Sequence, residues 1–200
     1  MGGHRAGRIF LVAFLLIVLV GGILSVLVLL QRQRLEGLKE AIAALEEERM
    51  PLRFMILERD QKELALRLRF YDLDGREVGV LERRLEGHSL FLDFAVLKHG
   101  DSFIAFPASL FSDEVAAAQG VSLYDAYDQA GFPAIFGSAG MKAADRRALA
   151  ELFASVKSGD LGKAGFGSAL HDVAEIGRFR VGQVYKVIAR AKGGLEVMED

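Results

Sequence analysis

The chain has 200 residues, with 25 Lys and Arg against 27 Asp and Glu, four His, no Cys and no Trp. The absence of cysteine excludes disulfides, thiolate-bound metals and a lipidated cysteine. All 27 acidic residues and 23 of the 25 basic ones follow residue 30, so this part is mildly acidic and poorly suited to nucleic acid, whose phosphates need a basic face.

After a tail of eight residues, Ile9 to Leu30 is a run of 22 residues without a charge, and Ser25 is its only polar side chain. As a helix it would be about 33 Å long, enough to cross a hydrocarbon core of about 30 Å. A secretory signal has a shorter apolar centre and a small-x-small exit. This run instead leaves through Leu27-Val28-Leu29-Leu30-Gln31-Arg32. The expectation is an uncleaved transmembrane anchor. Arg5 and Arg8 on one side nearly balance Arg32, Arg34 and Lys39 on the other. Long domains translocate largely regardless of charge, which favours an extracytoplasmic C-terminal domain.

Residues 31–63 are expected to be a juxtamembrane stalk helix, broken near Pro51. Leu35, Leu38, Ile42 and Leu45 follow the a/d spacing of a heptad and offer a dimer seam, with the partner a second copy or another protein's helix. Pro51 disfavours helix before and across it.

From residue 64 to 200 the expectation is one α+β domain of antiparallel hairpins and several short helices. Leu64, Leu66, Leu68 and Phe70 alternate with Ala65, Arg67, Arg69 and Tyr71, and Asp72-Leu73-Asp74-Gly75 turns the chain into a return strand over 77–85. The same Asp-x-Asp-Gly lacks the further ligands of a calcium loop. Leu90, Leu92, Phe94 and Val96 open a second pair, which turns at His99-Gly100-Asp101 and returns over 102–106, with Pro107 as its stop. Helices are expected at 112–120, 122–130, 141–157 and 168–176. The long one carries a stripe of Ala148, Leu149, Leu152, Phe153 and Val156. Strands are expected at 178–190 and, after Gly193-Gly194, at 195–198.

No catalytic, cofactor or metal site is assigned. His88, His99 and His171 could form a His/Asp centre with Asp101 or Asp172 only if the fold assembled them, because none has metal-ligand spacing. The glycine-rich 159–168 fits neither nucleotide fingerprint, and no Gly-x-Ser-x-Gly elbow occurs. An interaction surface is sought in Phe106, Phe111, Tyr124, Tyr127, Phe132 and Phe136, since aromatic anchors dominate interface energetics. The expected function is a single-pass, membrane-anchored envelope protein whose domain binds protein partners or envelope components. The alternatives are a membrane-tethered hydrolase and a ligand-sensing domain. The layout of tail, anchor, coil-prone helix and small domain resembles that of bacterial divisome or secretion-complex subunits, in architecture and in no motif.

Overall fold

The computed structural model describes residues 16, 18–26, 28–29, 49–99, 102–161, 170–176, 178–190 and 194–200. The described residues of the apolar run are helical, with exposed side chains, and the Ser25 hydroxyl donates to the Gly21 carbonyl at 2.8 Å. Among the described residues no helix is long and apolar enough to cross a membrane. The seam Leu35, Leu38, Ile42 and Leu45 lies outside them.

Antiparallel sheet dominates the rest. β1 (Arg49–Arg59), β2 (Glu63–Tyr71) and β3 (Glu77–Glu86) join β10 (Val184–Ala189) and β11 (Leu195–Glu199) in a five-stranded sheet ordered β11-β10-β1-β2-β3. A second sheet, ordered β6-β5-β4-β9, contains β4 (Leu90–His99), β5 (Ser102–Ser112), β6 (Val121–Ser122) and β9 (Leu170–Glu175). A small ladder pairs β7 (Asp128–Gln129) with β8 (Phe132–Pro133), and the helix that packs with these sheets is α1 (Ala143–Ser158).

The predicted stalk helix is corrected at its far end: residues 49–59 are strand. Leu52, Phe54 and Ile56 are buried at period two, a pattern hidden in the sequence because Met55 and Leu57 in the alternate phase are also apolar. Pro51 causes no helix break. It lies where the β1–β10 register skips between Arg49 and Leu52, a place where a missing N–H costs no ladder bond. The β2–β3 hairpin forms as expected. Asp72 closes its turn by accepting from the backbone N–H of Asp74 and Arg76, and Gly75 takes φ +78°.

Pro107 does not end β5 either. The register slips there, Asp93 facing Ser109 and Phe94 facing Pro107, so Ala108 is an extra residue in a bulge and the strand runs on to Ser112. The helix expected at 112–120 reduces to one 3-10 turn, Ala117–Gln119, because the Ser112 hydroxyl accepts from the N–H groups of Glu114 and Val115 in a local turn. The helix expected at 122–130 becomes a 3-10 turn, Tyr124–Ala126, then the β7–β8 hairpin through Ala130 and Gly131, both at positive φ. The helix expected at 168–176 is strand β9, which pairs with β4. Of the strand expected at 178–190, only Val184–Ala189 is extended.

α1 matches its prediction to within two residues at each end. Leu149, Leu152, Phe153 and Val156 are buried, each worth about 1.5–3 kcal/mol of transfer free energy. Gly159 stops the helix in the left-handed conformation at φ +72°. One continuous core joins α1 and both large sheets, and takes in Leu52, Phe54, Leu66, Phe70, Leu92, Phe94, Phe106 and Phe153. Gly79 on β3 lets the Tyr124–Ala126 turn dock: a Cβ there would lie 1.8 Å from the Ala126 carbonyl oxygen.

Candidate functional site on the open face of the five-stranded sheet

The aromatic residues chosen from sequence divide by burial. Phe106, Tyr127, Phe132 and Phe136 are buried in the core and cannot meet a partner in this fold. Phe106 lies against Phe136 and Phe153, with ring centroids 5.1 and 5.8 Å away, and the Tyr127 hydroxyl donates to the Pro107 carbonyl at 2.8 Å. Burial pushes the Tyr127 hydroxyl well above its ordinary pKa. Phe111 and Tyr124 are half-buried. Phe111 stacks on Phe91, while burial, with a smaller contribution from the Asp93 carboxylate, pushes the Tyr124 hydroxyl up to about 12.

The histidines do not converge. His88 is exposed, and its backbone N–H donates to Asp113. The side chain of His99, and Asp101, lie outside the described residues. His171 pairs with Asp93 rather than its neighbour Asp172: Nδ1 stands 2.8 and 3.0 Å from the two carboxylate oxygens. Asp93 is almost buried on β4, whereas most of the His171 ring is exposed on β9. Such a pair fixes the imidazole and leaves Nε2 toward water, as a base would require. No group of three metal-capable side chains occurs among the described residues. Most of the glycine-rich 159–168 lies outside them.

Sequence reasoning missed the face of the five-stranded sheet that points away from the core. The core-facing positions of β1, β2 and β10 include Leu52, Phe54, Leu68, Phe70, Tyr185 and Val187, so the residues between them project to the other side. The strand registers then set Lys186, Arg53 and Arg69 directly beside one another on three neighbouring strands. Exposed Met198 and Val80 continue this row at its two ends. Arg67 stands one position along, opposite Met55. A groove of about 280 Å³ opens here, lined by Arg53, Arg67, Arg69, Tyr71, Val184 and Asp200.

Like charges in register oppose pairing, so the row needs counter-charge. Arg67 meets Glu82 at 2.5 Å, Arg69 meets Glu77 at 3.5 Å, and Asp200 serves both Arg53 at 2.8 Å and Lys186 at 3.7 Å. The Arg53 guanidinium lies over the Tyr71 ring, 4.7 Å from its centroid. Its Nε is buried and, despite the nearby carboxylate, lacks a properly directed hydrogen bond. The groove thus sets paired cations beside an aromatic ring. The alternation of Arg67 and Arg69 with Leu66 and Leu68 was a visible signal for half of it; Arg53 and Lys186 join only through the register.

Comparison with known proteins finds no matching protein family, no similar characterised protein and no matching solved structure.

Proposed function

We propose that the chain is a single-pass, membrane-anchored envelope protein whose antiparallel β-rich domain binds a protein partner or envelope component. The observation that carries the placement is the charge-free run of 22 residues from Ile9 to Leu30. Binding is assigned to the open face of the five-stranded sheet, because the groove there is lined by Arg53, Arg67, Arg69 and Tyr71, and Arg and Tyr are enriched among residues that anchor interfaces. The domain lies on the extracytoplasmic side in this reading, with the eight-residue tail inside.

A test is alkaline carbonate extraction of cell membranes combined with C-terminal reporters active on only one side. The proposal expects the chain to stay in the membrane pellet and the outside reporter to be active. Release into the carbonate supernatant would remove the anchor. Activity of the inside reporter alone would reverse the orientation and make the domain a membrane-recruited regulator.

The Asp93–His171 pair favours a second reading, a membrane-tethered hydrolase with His171 as base. Retention of full cellular function by His171→Gln would dismiss it.

A further inference from the structure

We infer that the groove over β1, β2 and β10 is a site for a phosphomonoester group, and that the Asp200 carboxylate occupies part of that site in the free protein. The inference deepens the binding reading and rests on it, but it does not need the membrane anchor.

The charge balance selects the ligand. Four cations, Arg53, Arg67, Arg69 and Lys186, meet three carboxylates, Glu77, Glu82 and Asp200, and Asp200 is shared between two of the cations. At the groove this leaves one positive charge in excess, whereas further along the same face Arg84 is matched by Glu58 and Glu63. Glu77 and Glu82 belong to the neighbouring strand β3, each paired to a single arginine of β2. Asp200 follows the last strand, and its backbone N–H donates to the Val184 carbonyl at the groove wall. It holds two cations by one side chain, and its contact with Arg53 Nε lacks hydrogen-bond alignment. Of the three carboxylates it alone lines the groove, so it is the one that a ligand entering there would displace.

A monoanionic carboxylate that replaced Asp200 would exchange one charge for another without neutralising the excess. A phosphomonoester carries a charge of about −1.5 to −2 at pH 7 and three acceptor oxygens. It matches the two charges exposed once Asp200 leaves. The guanidinium groups of Arg53 and Arg69, on adjacent strands, can each donate in pairs to its oxygens, and Lys186 adds a point charge. Tyr71, with Arg53 stacked on its ring, keeps that guanidinium in place along one wall.

The test uses the purified full chain in a neutral detergent. Isothermal titration is carried out with inorganic phosphate, with glycerol 3-phosphate as a soluble monoester, and with acetate at equal ionic strength. The inference expects both phosphates to bind and acetate to bind more weakly. Asp200→Asn should tighten phosphate about fivefold or more, because it removes the internal competitor, and Arg69→Gln should weaken it about tenfold. Thermal melts of both variants control for unfolding; Asp200→Asn lies at the surface and provides the decisive arm, since only displacement of Asp200 makes its loss a gain in affinity. A parallel flotation with vesicles of phosphatidylcholine containing phosphatidic acid distinguishes a lipid headgroup from a soluble source. Binding of the soluble monoester with no added flotation over plain phosphatidylcholine assigns a soluble ligand; added flotation that Arg69→Gln abolishes assigns a headgroup. Equal affinity for acetate and phosphate, or no gain with Asp200→Asn, would overturn the inference. Neither result would touch the carbonate and reporter outcomes, so failure here is distinguishable from failure of the anchor.

Discussion

The two large sheets of this domain are built from similar antiparallel strands and end in opposite situations. The four-stranded sheet is covered on both sides around its central strand: along β4, Leu92, Phe94 and Val96 are buried, and so are Asp93, Ala95 and Leu97 between them. Phe106 and Ile104 of β5, opposite Ala95 and Leu97, extend that second face, and Phe106 meets Phe153 of α1. The five-stranded sheet buries one side and leaves most of the other open, with Ala65 and Tyr71 as the buried exceptions there. Leu52, Phe54, Leu66, Leu68 and Phe70 turn inward, while Arg53, Arg67 and Arg69 stay on the outside, with the groove between them. A sheet buried on both faces spends its side chains on packing, whereas a sheet with one wet face keeps half of them for recognition. The difference commits one sheet to packing and leaves the other a face open to solvent, on which binding is proposed.

The largest effect should come at the joint between the two. Gly79→Ala places a Cβ against the Ala126 carbonyl, and the backbone turn cannot yield as a flexible side chain would. Loss of the cooperative thermal transition, or a cost above about 3 kcal/mol in chemical denaturation, is the expected outcome. Phe153→Ala probes the covering of the four-stranded sheet and should cost about 3–5 kcal/mol, while Val80→Ala on the open face should stay within about 0.5 kcal/mol. Equal costs for these two would erase the distinction between covered and open sheets.

Tyr127→Phe leaves the buried Pro107 carbonyl without its donor and should cost about 1–3 kcal/mol, measured by urea titration. The smallest effect belongs to Lys157, which ties α1 to Asp125 of the 3-10 turn and to Asp128 at the start of β7. Its hydrogen bond holds the Asp128 carboxyl below the ordinary range, and Asp128, the larger contributor, together with Asp125 holds the Lys157 amine above its own. The carboxylate contribution is complete above the unfolded Asp value, about 4, and fades as pH falls through the lower folded value. The amine contribution is complete below the unfolded Lys value, about 10.4, and fades as pH rises through the higher folded value. Lys157→Met should therefore cost a few tenths to about 1 kcal/mol between those limits and least at both extremes, seen in denaturation midpoints across pH.

What was legible in the sequence follows the same division. The β2–β3 hairpin was readable because its outer face is wet, so Leu64 to Phe70 alternate cleanly with Arg67, Arg69 and Tyr71. α1 was readable from its stripe and from Gly159. β1 was not, because Met55 and Leu57 fill the polar phase of its alternation. β9 was not, because Leu-His-Asp-Val-Ala-Glu has no strand pattern of its own and is extended through pairing with β4. The aromatic residues looked like an interface because the sequence does not disclose that Phe153 of α1 packs against Phe106, Tyr124 and Tyr127. The Asp93–His171 pair joins residues 78 positions apart, and the basic row exists only once β1 lies between β10 and β2. Local pattern predicts elements; register assembles sites.

The most direct test of the account is photo-crosslinking in intact cells. A photoreactive residue is placed at Val80 or Met198, which flank the basic row, or at Val173 on the four-stranded sheet; all three are exposed. The account predicts defined adducts from Val80 and Met198 that disappear when Arg69 is replaced by Gln, and none from Val173. Adducts from Val173 alone, or adducts from Val80 and Met198 that persist without Arg69, would contradict it.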